Sequence, residues 1–169
     1  MEASKLKEIL EHHRLWLAGK GGSRANLKGA FLYDANLKDA NLPTVNFSGA
    51  DLTGAYLKGA ILYGANLQGA NLYHANLTGA DLGRAILTGA ILYYADLTGA
   101  NLKGANLTGV NLKGADLTGA NLNGTILEKN KAEKQPEVGS VKSENLRFEI
   151  EAIAKKHGVK IDSMTFSLI

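Results

Sequence analysis

The residues that could perform chemistry in this chain are few, and their spacing forms no catalytic constellation. The sequence contains four histidines and no cysteine. His74, with Tyr73 beside it and Tyr94 twenty residues later, comes nearest to a group of proton-transferring side chains. The glycines recur at a fixed interval, unlike the GxGxxG turn that binds phosphate between a strand and a helix. We therefore expect no enzymatic activity, no cofactor and no bound metal.

The glycines belong to a five-residue repeat that occupies most of the chain. Between residues 25 and 127 a leucine recurs at every fifth position, twenty-one positions in all, with Phe47 the only substitute. Alanine lies two residues before this position in eighteen copies, Asn or Asp directly before it in fifteen, and Gly two residues after it in fourteen. A fixed period of this kind indicates a stacked-repeat architecture.

A five-residue period fits a chain that turns one corner in every repeat. Helices repeat about every 3.6 residues and strands about every 2, so neither element would keep the leucines on one face. Four corners close a square coil of twenty residues, with Leu and Ala pointing inward and the other three positions pointing outward. Gly suits a turn that needs positive φ, and Asn or Asp can bond neighbouring backbone groups. At a strand spacing of about 4.8 Å, just over five coils form a rod roughly 25 Å long.

The repeat resembles the A(D/N)LxG pattern of the pentapeptide repeat family, as in residues 65–69, ANLQG. The resemblance covers residues 25–129 and implies an all-β solenoid, a right-handed quadrilateral β-helix of about five coils. Some members of this family protect DNA gyrase from quinolones by imitating duplex DNA. Such mimicry requires a dense negative surface in place of the phosphates.

Residues 1–24 are predicted to cover the first coil. An amphipathic helix is expected over residues 3–18, ended by the glycines at 19, 21 and 22. Its apolar side would lay leucines and Trp16 over the open end of the rod. The adjacent His12 and His13 would point about 100° apart on this helix, which makes them a poor metal chelate. We interpret Trp16 and both histidines as parts of a structural cap.

A different composition follows residue 129. Residues 130–143 are predicted to form a solvated linker, residues 144–157 a helix and residues 159–169 a strand. The unit formed by residues 144–169 is too small to fold alone. It either caps the last coil, extends its sheet or pairs with a second chain. We favour the cap, followed by a homodimer through this segment.

Three residues of neighbouring repeats depart from the pattern together. Val45 and Phe47 are larger than the residues they replace, and Pro43 cannot donate a backbone hydrogen bond. We expect the coil near residues 43–47 to bulge or widen.

The formal net charge of +3 belongs to the ends of the chain. Residues 1–24 carry five basic and three acidic side chains, residues 25–127 six of each, and residues 128–169 eight basic and seven acidic. The neutral repeat region disfavours DNA mimicry, and its scattered lysines disfavour direct nucleic-acid binding. No apolar run approaches eighteen residues and the first twenty residues are unlike a signal peptide. A membrane span is not expected, and the cytoplasm is the expected compartment.

Stacking the repeats at twenty residues converts the sequence into a surface map. The second side of the coil collects most of the large outward residues, which form the candidate interaction face: Phe31, Tyr33, Tyr73, His74, Ile91, Tyr93 and Tyr94. Tyr63 is expected to extend this face around a corner, and Arg84 to lie at its rim. Exposed aromatic groups mark contact surfaces, although such rings can also merely stack and stiffen the rod. The sequence thus favours a non-enzymatic scaffold that binds another protein, with the gyrase-binding DNA mimic as the alternative.

Overall fold

The computed structural model describes residues 1–126 and 164–165. Its elements are helix α1 (Ala3–Leu17), strand β1 (Thr125–Ile126) and strand β2 (Met164–Thr165). Between α1 and β1 the chain forms a solenoid held by single parallel bridges. The predicted linker over residues 130–143 and the predicted helix over residues 144–157 lie outside the described residues.

The bridges join residues that are twenty positions apart, which confirms the predicted coil length. Asn26 pairs with Asn46, Phe31 with Asp51, and the same step repeats on every side up to Asn106 and Ile126. We number the coils from residue 25, so that they begin at residues 25, 45, 65, 85 and 105. The four sides are numbered in chain order. In the first coil they are residues 25–29, 30–34, 35–39 and 40–44.

Each repeat ends in the same hydrogen-bonded turn. In the first repeat the Ala30 N–H donates to the Leu27 carbonyl over 3.1 Å. Gly29 precedes Ala30 with φ of 63°, as the third residue of a type II turn requires. The N–H of Gly29 then donates to Ser48 of the next coil over 2.9 Å. The turn therefore makes the corner while its backbone still bonds along the rod axis.

The core is a single column of leucine and alanine inside the coils. The central leucines from Leu27 to Leu122 are buried, as are Phe47, Val45 and most of the alanines. The alanines of the first coil at positions 30, 35 and 40 are only half-buried and, like apolar side chains of α1, pack against this core. The predicted inward positions are thus the observed core positions.

The chain does not bulge near Pro43. The N–H after a central leucine donates to the Asn or Asp side chain two residues back, as Lys28 does to Asn26, and not to the next coil. Proline at this position therefore removes no bond between coils. Val45 and Phe47 are buried, and the Val45 N–H donates to the Leu42 carbonyl over 3.3 Å, compared with 3.1 Å at the three preceding turns. The expected bulge was wrong, because the bond that proline lacks is a local one.

Helix α1 covers the first coil through Leu6, Ile9 and Leu10, which pack against the core. The predicted role of Trp16 was wrong. Its side chain is 42% exposed and stacks on His13 with ring centroids 5.4 Å apart. His13 is the buried residue instead, and its Nδ1 accepts a hydrogen bond of 3.0 Å from the Ala25 N–H.

Strand β2 continues the first side of the solenoid. Thr125 and Ile126 of β1 pair in parallel with Met164 and Thr165, and Ile126 also bridges back to Asn106. Within the described residues the C-terminal segment therefore extends the sheet, which was one of the three alternatives. Whether it also caps the rod or joins a second chain stays a prediction.

Candidate interaction face

The seven residues predicted to form the interaction face, six of them with aromatic rings, lie on one side of the rod but form two groups. All seven belong to the second side, where Phe31, Asp51, Asn71 and Ile91 follow one another through bridges. Between the two groups lies the second coil, which presents Asp51, Thr53 and Gly54. We call Phe31 and Tyr33 the lower pair, and Tyr73, His74, Tyr93 and Tyr94 the upper cluster. Ile91 borders the upper cluster in the fourth coil.

The upper cluster is a continuous set of ring contacts. Tyr73 and Tyr93 stack with centroids 5.7 Å apart, and His74 and Tyr94 stack at 5.2 Å with planes inclined by 15°. Tyr93 and Tyr94 are 4.2 Å apart, and Tyr73 meets His74 edge-on at 4.4 Å. The hydrogen bond with Tyr94, followed by burial, raises the pKa of Tyr93 above its ordinary value. Four rings from two adjacent coils thus form one ordered surface.

Two of these rings belong to residues in the left-handed backbone conformation, which residues other than glycine disfavour. His74 and Tyr94 occupy the turn position that is usually glycine, with φ of 54° and 57°. The left-handed region costs an L-residue about 1–2 kcal/mol. The same conformation occurs outside the upper cluster at Asp34, Asp39, Thr44 and Arg84. The sequence identifies the glycine replacements, and the backbone angles show that the turn keeps its positive φ at each of these residues.

The upper cluster is positioned by the coil above it. The ring of Tyr94 lies across Gly114, where any Cβ would collide with ring carbons. The Lys113 ammonium lies over the ring of Tyr93, 5.9 Å from its centroid, within the range of a cation–π contact. The second side of coils three to five therefore presents aromatic rings, one lysine and no carboxylate.

The lower pair lies in an acidic setting. Phe31 and Tyr33 stack with centroids 6.2 Å apart and are 64% and 57% exposed. The Tyr33 hydroxyl bonds the Asp51 carboxylate, and this bond, followed by burial, raises the pKa of Tyr33. Asp34 lies in the adjoining turn and leans over Gly54. The second side therefore carries aromatic rings in the first coil and in the third and fourth coils, with acids beside the lower pair and a base beside the upper cluster.

Tyr63 and Arg84 do not extend this face, so that prediction was wrong. Both belong to the fourth side, and ten residues are half a coil of twenty, which places the fourth side opposite the second. Tyr63 packs against Gly83, with a ring carbon 3.0 Å from where a Cβ would lie. The error came from treating the fourth side as a neighbour of the second.

Two exposed apolar residues that do border the second side were missed. Ile86, 43% exposed, lies on the first side one repeat before Ile91. Tyr56, 54% exposed, lies on the third side in the second coil. Both stand where Asn or Asp is usual, directly before a central leucine, so the same search for departures from the repeat could have found them.

The aspartates that directly precede a central leucine accept hydrogen bonds from the turns of the solenoid. Asp81 accepts hydrogen bonds from the Gly83 N–H over 3.0 Å and from the Asn101 amide over 2.8 Å. Asp96 accepts from the Thr98 N–H over 2.9 Å and from the Thr78 hydroxyl over 3.0 Å. Burial raises the pKa of Asp96, but these hydrogen bonds outweigh burial and lower it overall.

Asp51 follows the same logic at the lower pair. Burial alone raises the pKa of Asp51, whereas hydrogen bonds from Thr53, Tyr33 and Asn71 lower it overall. These carboxylates therefore connect the turns of one coil to those of the next.

Among the described residues, no group of three or more His, Cys, Asp or Glu side chains could hold a metal ion. In the same part of the chain, no helix is long and apolar enough to cross a membrane.

Comparison with solved structures returns repeat proteins of the same pattern. A pentapeptide repeat protein from the cyanobacterium Cyanothece 51142 is 33% identical over 67% of this chain and 91% of its own, with a TM-score of 0.43. HetL, a pentapeptide repeat protein involved in heterocyst differentiation regulation in Nostoc sp. strain PCC 7120, is 34% identical over 62% of each chain, with a TM-score of 0.26. QnrB1, a plasmid-mediated fluoroquinolone resistance protein, is 22% identical over 62% of this chain and 69% of its own, with a TM-score of 0.36.

The family assignment depends on the repeats themselves. No curated protein matches this chain. The family model for pentapeptide repeats matches in eight copies, over residues 23–59, 50–89, 65–104 and 90–128. These matches cover the whole described solenoid, whose four-sided coil is the one that the family's right-handed quadrilateral β-helix implies. The chain belongs to the pentapeptide repeat family.

Proposed function

We propose that this protein is a non-enzymatic scaffold that binds another protein through the second side of its solenoid. The observation that carries the proposal is the upper cluster, an ordered group of rings held at the surface on strained turns. Strain at functional sites persists where the surrounding structure offsets it. Each aromatic pair contributes about 0.5–1.5 kcal/mol, which is enough to offset the strain of His74 and Tyr94.

Stiffening of the rod accounts for the ring contacts but not for the exposed surface beside them. Tyr94 is 47% exposed although it touches three rings, and Ile91 next to it is also exposed. The lower pair touches no ring of the upper cluster, because the second coil separates them. Aromatic residues are enriched at the centre of protein interfaces, where they supply contact area at little entropic cost. A cytoplasmic setting is part of the same proposal.

The proposal is tested by co-purification with a matched control. Wild-type protein, the triple variant Tyr73→Ser, Tyr93→Ser and Tyr94→Ser, and the control Tyr63→Ser on the opposite, fourth side are each immobilised and exposed to extract of the source cells. Quantitative mass spectrometry should find a protein that the wild type and the control retain and that the triple variant loses. Equal retention by all three folded proteins would remove the support for this face.

DNA mimicry is the weaker explanation because of how the acids are placed. The solenoid carries as many basic as acidic side chains, and Asp81 and Asp96 lie on different sides with oxygens bonded into turns. A duplex mimic needs an unbroken negative surface along one side. Protection of gyrase supercoiling from a quinolone by this protein would reverse the preference.

A further inference from the structure

The second side is too small to hold a second folded copy firmly. Its five coils span about 24 Å at a spacing of about 4.8 Å, and five extended residues cover at most about 16 Å across it. The side therefore offers at most about 400 Å², which is about half of the roughly 800 Å² per partner in a standard interface. A single extended peptide segment fits these dimensions better.

A peptide on this side could not join as an additional strand. The backbone donors of the side already bond along the rod axis, from His74 to Tyr93 over 3.1 Å and from Tyr94 to Lys113 over 3.1 Å. Strand addition needs free backbone groups at a sheet edge. The side chains of the second side must therefore hold the bound peptide. The backbone of that peptide must not require hydrogen bonds from the protein.

The polyproline II helix meets this requirement, and its period matches the rod. It has no internal hydrogen bonds, stays solvated and repeats every three residues, about 9.3 Å. Two coils of the solenoid advance about 9.6 Å. Tyr33 and Tyr73 occupy equivalent positions two coils apart, with the smaller Thr53 between them. Successive turns of a polyproline II helix would thus meet Tyr33 and Tyr73 in register.

The charges at the two ends add a second requirement. Asp34 and Asp51 lie beside Tyr33, while Lys113 lies over Tyr93 at the other end. A ligand complementary to this side carries a basic group at the lower pair and an acidic group near Lys113. Aromatic-lined surfaces bind proline-rich segments because little entropy is lost in ordering them.

We infer that the second side binds a proline-rich segment in the polyproline II conformation, with a basic residue over Asp34 and Asp51 and an acidic residue at Lys113. This inference rests on the proposed function, since it names the kind of partner that the same face would take. The prolines pack on Tyr33 and Tyr73, and the charged ends fix the position along the rod.

The test is a direct titration of the full chain with a defined peptide. A fluorescein-labelled peptide of arginine, Pro-Pro-Ala-Pro-Pro and glutamate is followed by fluorescence anisotropy; at about 3.1 Å per residue its charged ends lie about 19 Å apart, the length of four coils. The control peptide has serine in place of every proline. We expect saturable binding of the proline peptide and at least tenfold weaker binding of the serine peptide. Tyr33→Ser and Tyr73→Ser should each weaken binding at least fivefold, and Tyr63→Ser on the opposite, fourth side should not.

Several results would overturn the inference. They are equal binding of the two peptides, no binding at millimolar protein, or a loss of binding with Tyr63→Ser as large as that with Tyr73→Ser. Urea unfolding of each variant excludes loss of fold as the cause. The proposed function can survive failure of this inference. It stands if the peptide does not bind but co-purification still finds a partner that the wild type retains and the triple variant loses. Sedimentation that shows a dimer broken by Tyr73→Ser would identify a second copy as the occupant and overturn the proline-rich segment.

Discussion

Replacing Thr44 by glycine should stabilise this protein. Thr44 is an exposed β-branched residue with φ of 57°. The left-handed conformation costs an L-residue about 1–2 kcal/mol, and β-branching makes it worse. Glycine removes this cost but adds about 0.5–1 kcal/mol of backbone entropy in the unfolded chain. Thr44 makes no ring contact that would be lost, and its methyl group lies only at ordinary contact distance, 3.6 Å, from the Cβ position of Gly64. The net gain should be about 0.5–1 kcal/mol.

The measurement is urea unfolding of wild type and Thr44→Gly, with the midpoint compared at unchanged m-value. The reciprocal control is Gly49→Thr, where φ is 64° and nothing lies within 4 Å of the added Cβ. That substitution adds strain without a clash, so the midpoint should fall by a comparable amount. A Thr44→Gly variant no more stable than wild type would falsify the assignment of strain to this turn.

Three further predictions concern the core, the cap and the upper cluster. Leu77→Ala should cost about 2–5 kcal/mol in urea unfolding, because the narrow core cannot collapse around the gap; a loss below about 1 kcal/mol would contradict this. Burial, and then the charge of Arg24, lowers the pKa of His13 below 6.5. The unfolded chain therefore binds more protons than the folded one, and stability should fall as the pH drops below about 6.5. His13→Asn keeps an acceptor without titrating, so its pH dependence should be shallower than that of wild type, and an identical slope would exclude this role. Gly114→Ala should destabilise more than Gly99→Ala, since only the former places a Cβ on the ring of Tyr94 while both share positive φ. Equal losses would mean that the ring lies elsewhere.

The periodic part of this structure follows from the sequence because one inward position repeats without a shift. Once Leu27 and its successors are assigned to the interior, the coil length fixes the side of every outward residue. This is why the second side was predicted with Phe31 and Tyr94 in the correct positions. Tyr63 lies ten residues before Tyr73, which is half a coil, and its assignment to a neighbouring side was therefore wrong.

Features that depend on side-chain packing could not be obtained from the period. Trp16 and His13 are both amphipathic aromatic residues on one helical face, and only the contact with the Ala25 N–H decides which is buried. The division of the second side, by contrast, follows from the period, because Asp51, Thr53 and Gly54 of the second coil separate the two groups of rings. The acidic character of the lower pair depends on the bond from Tyr33 to Asp51, which joins residues of different coils.

The twenty-residue coil makes the alignment of surface residues sensitive to the length of the chain between them. Deleting one five-residue repeat between the lower pair and Tyr73 would preserve the core, since a leucine from the next repeat would take each vacated inward position. It would also rotate all later coils by a quarter turn, so that Tyr73 and His74 would no longer share a side with Phe31. Removing four repeats would leave every side aligned and shorten the separation by one coil. Gain or loss of whole coils thus changes distances along the rod, whereas gain or loss of single repeats changes which residues face the same way.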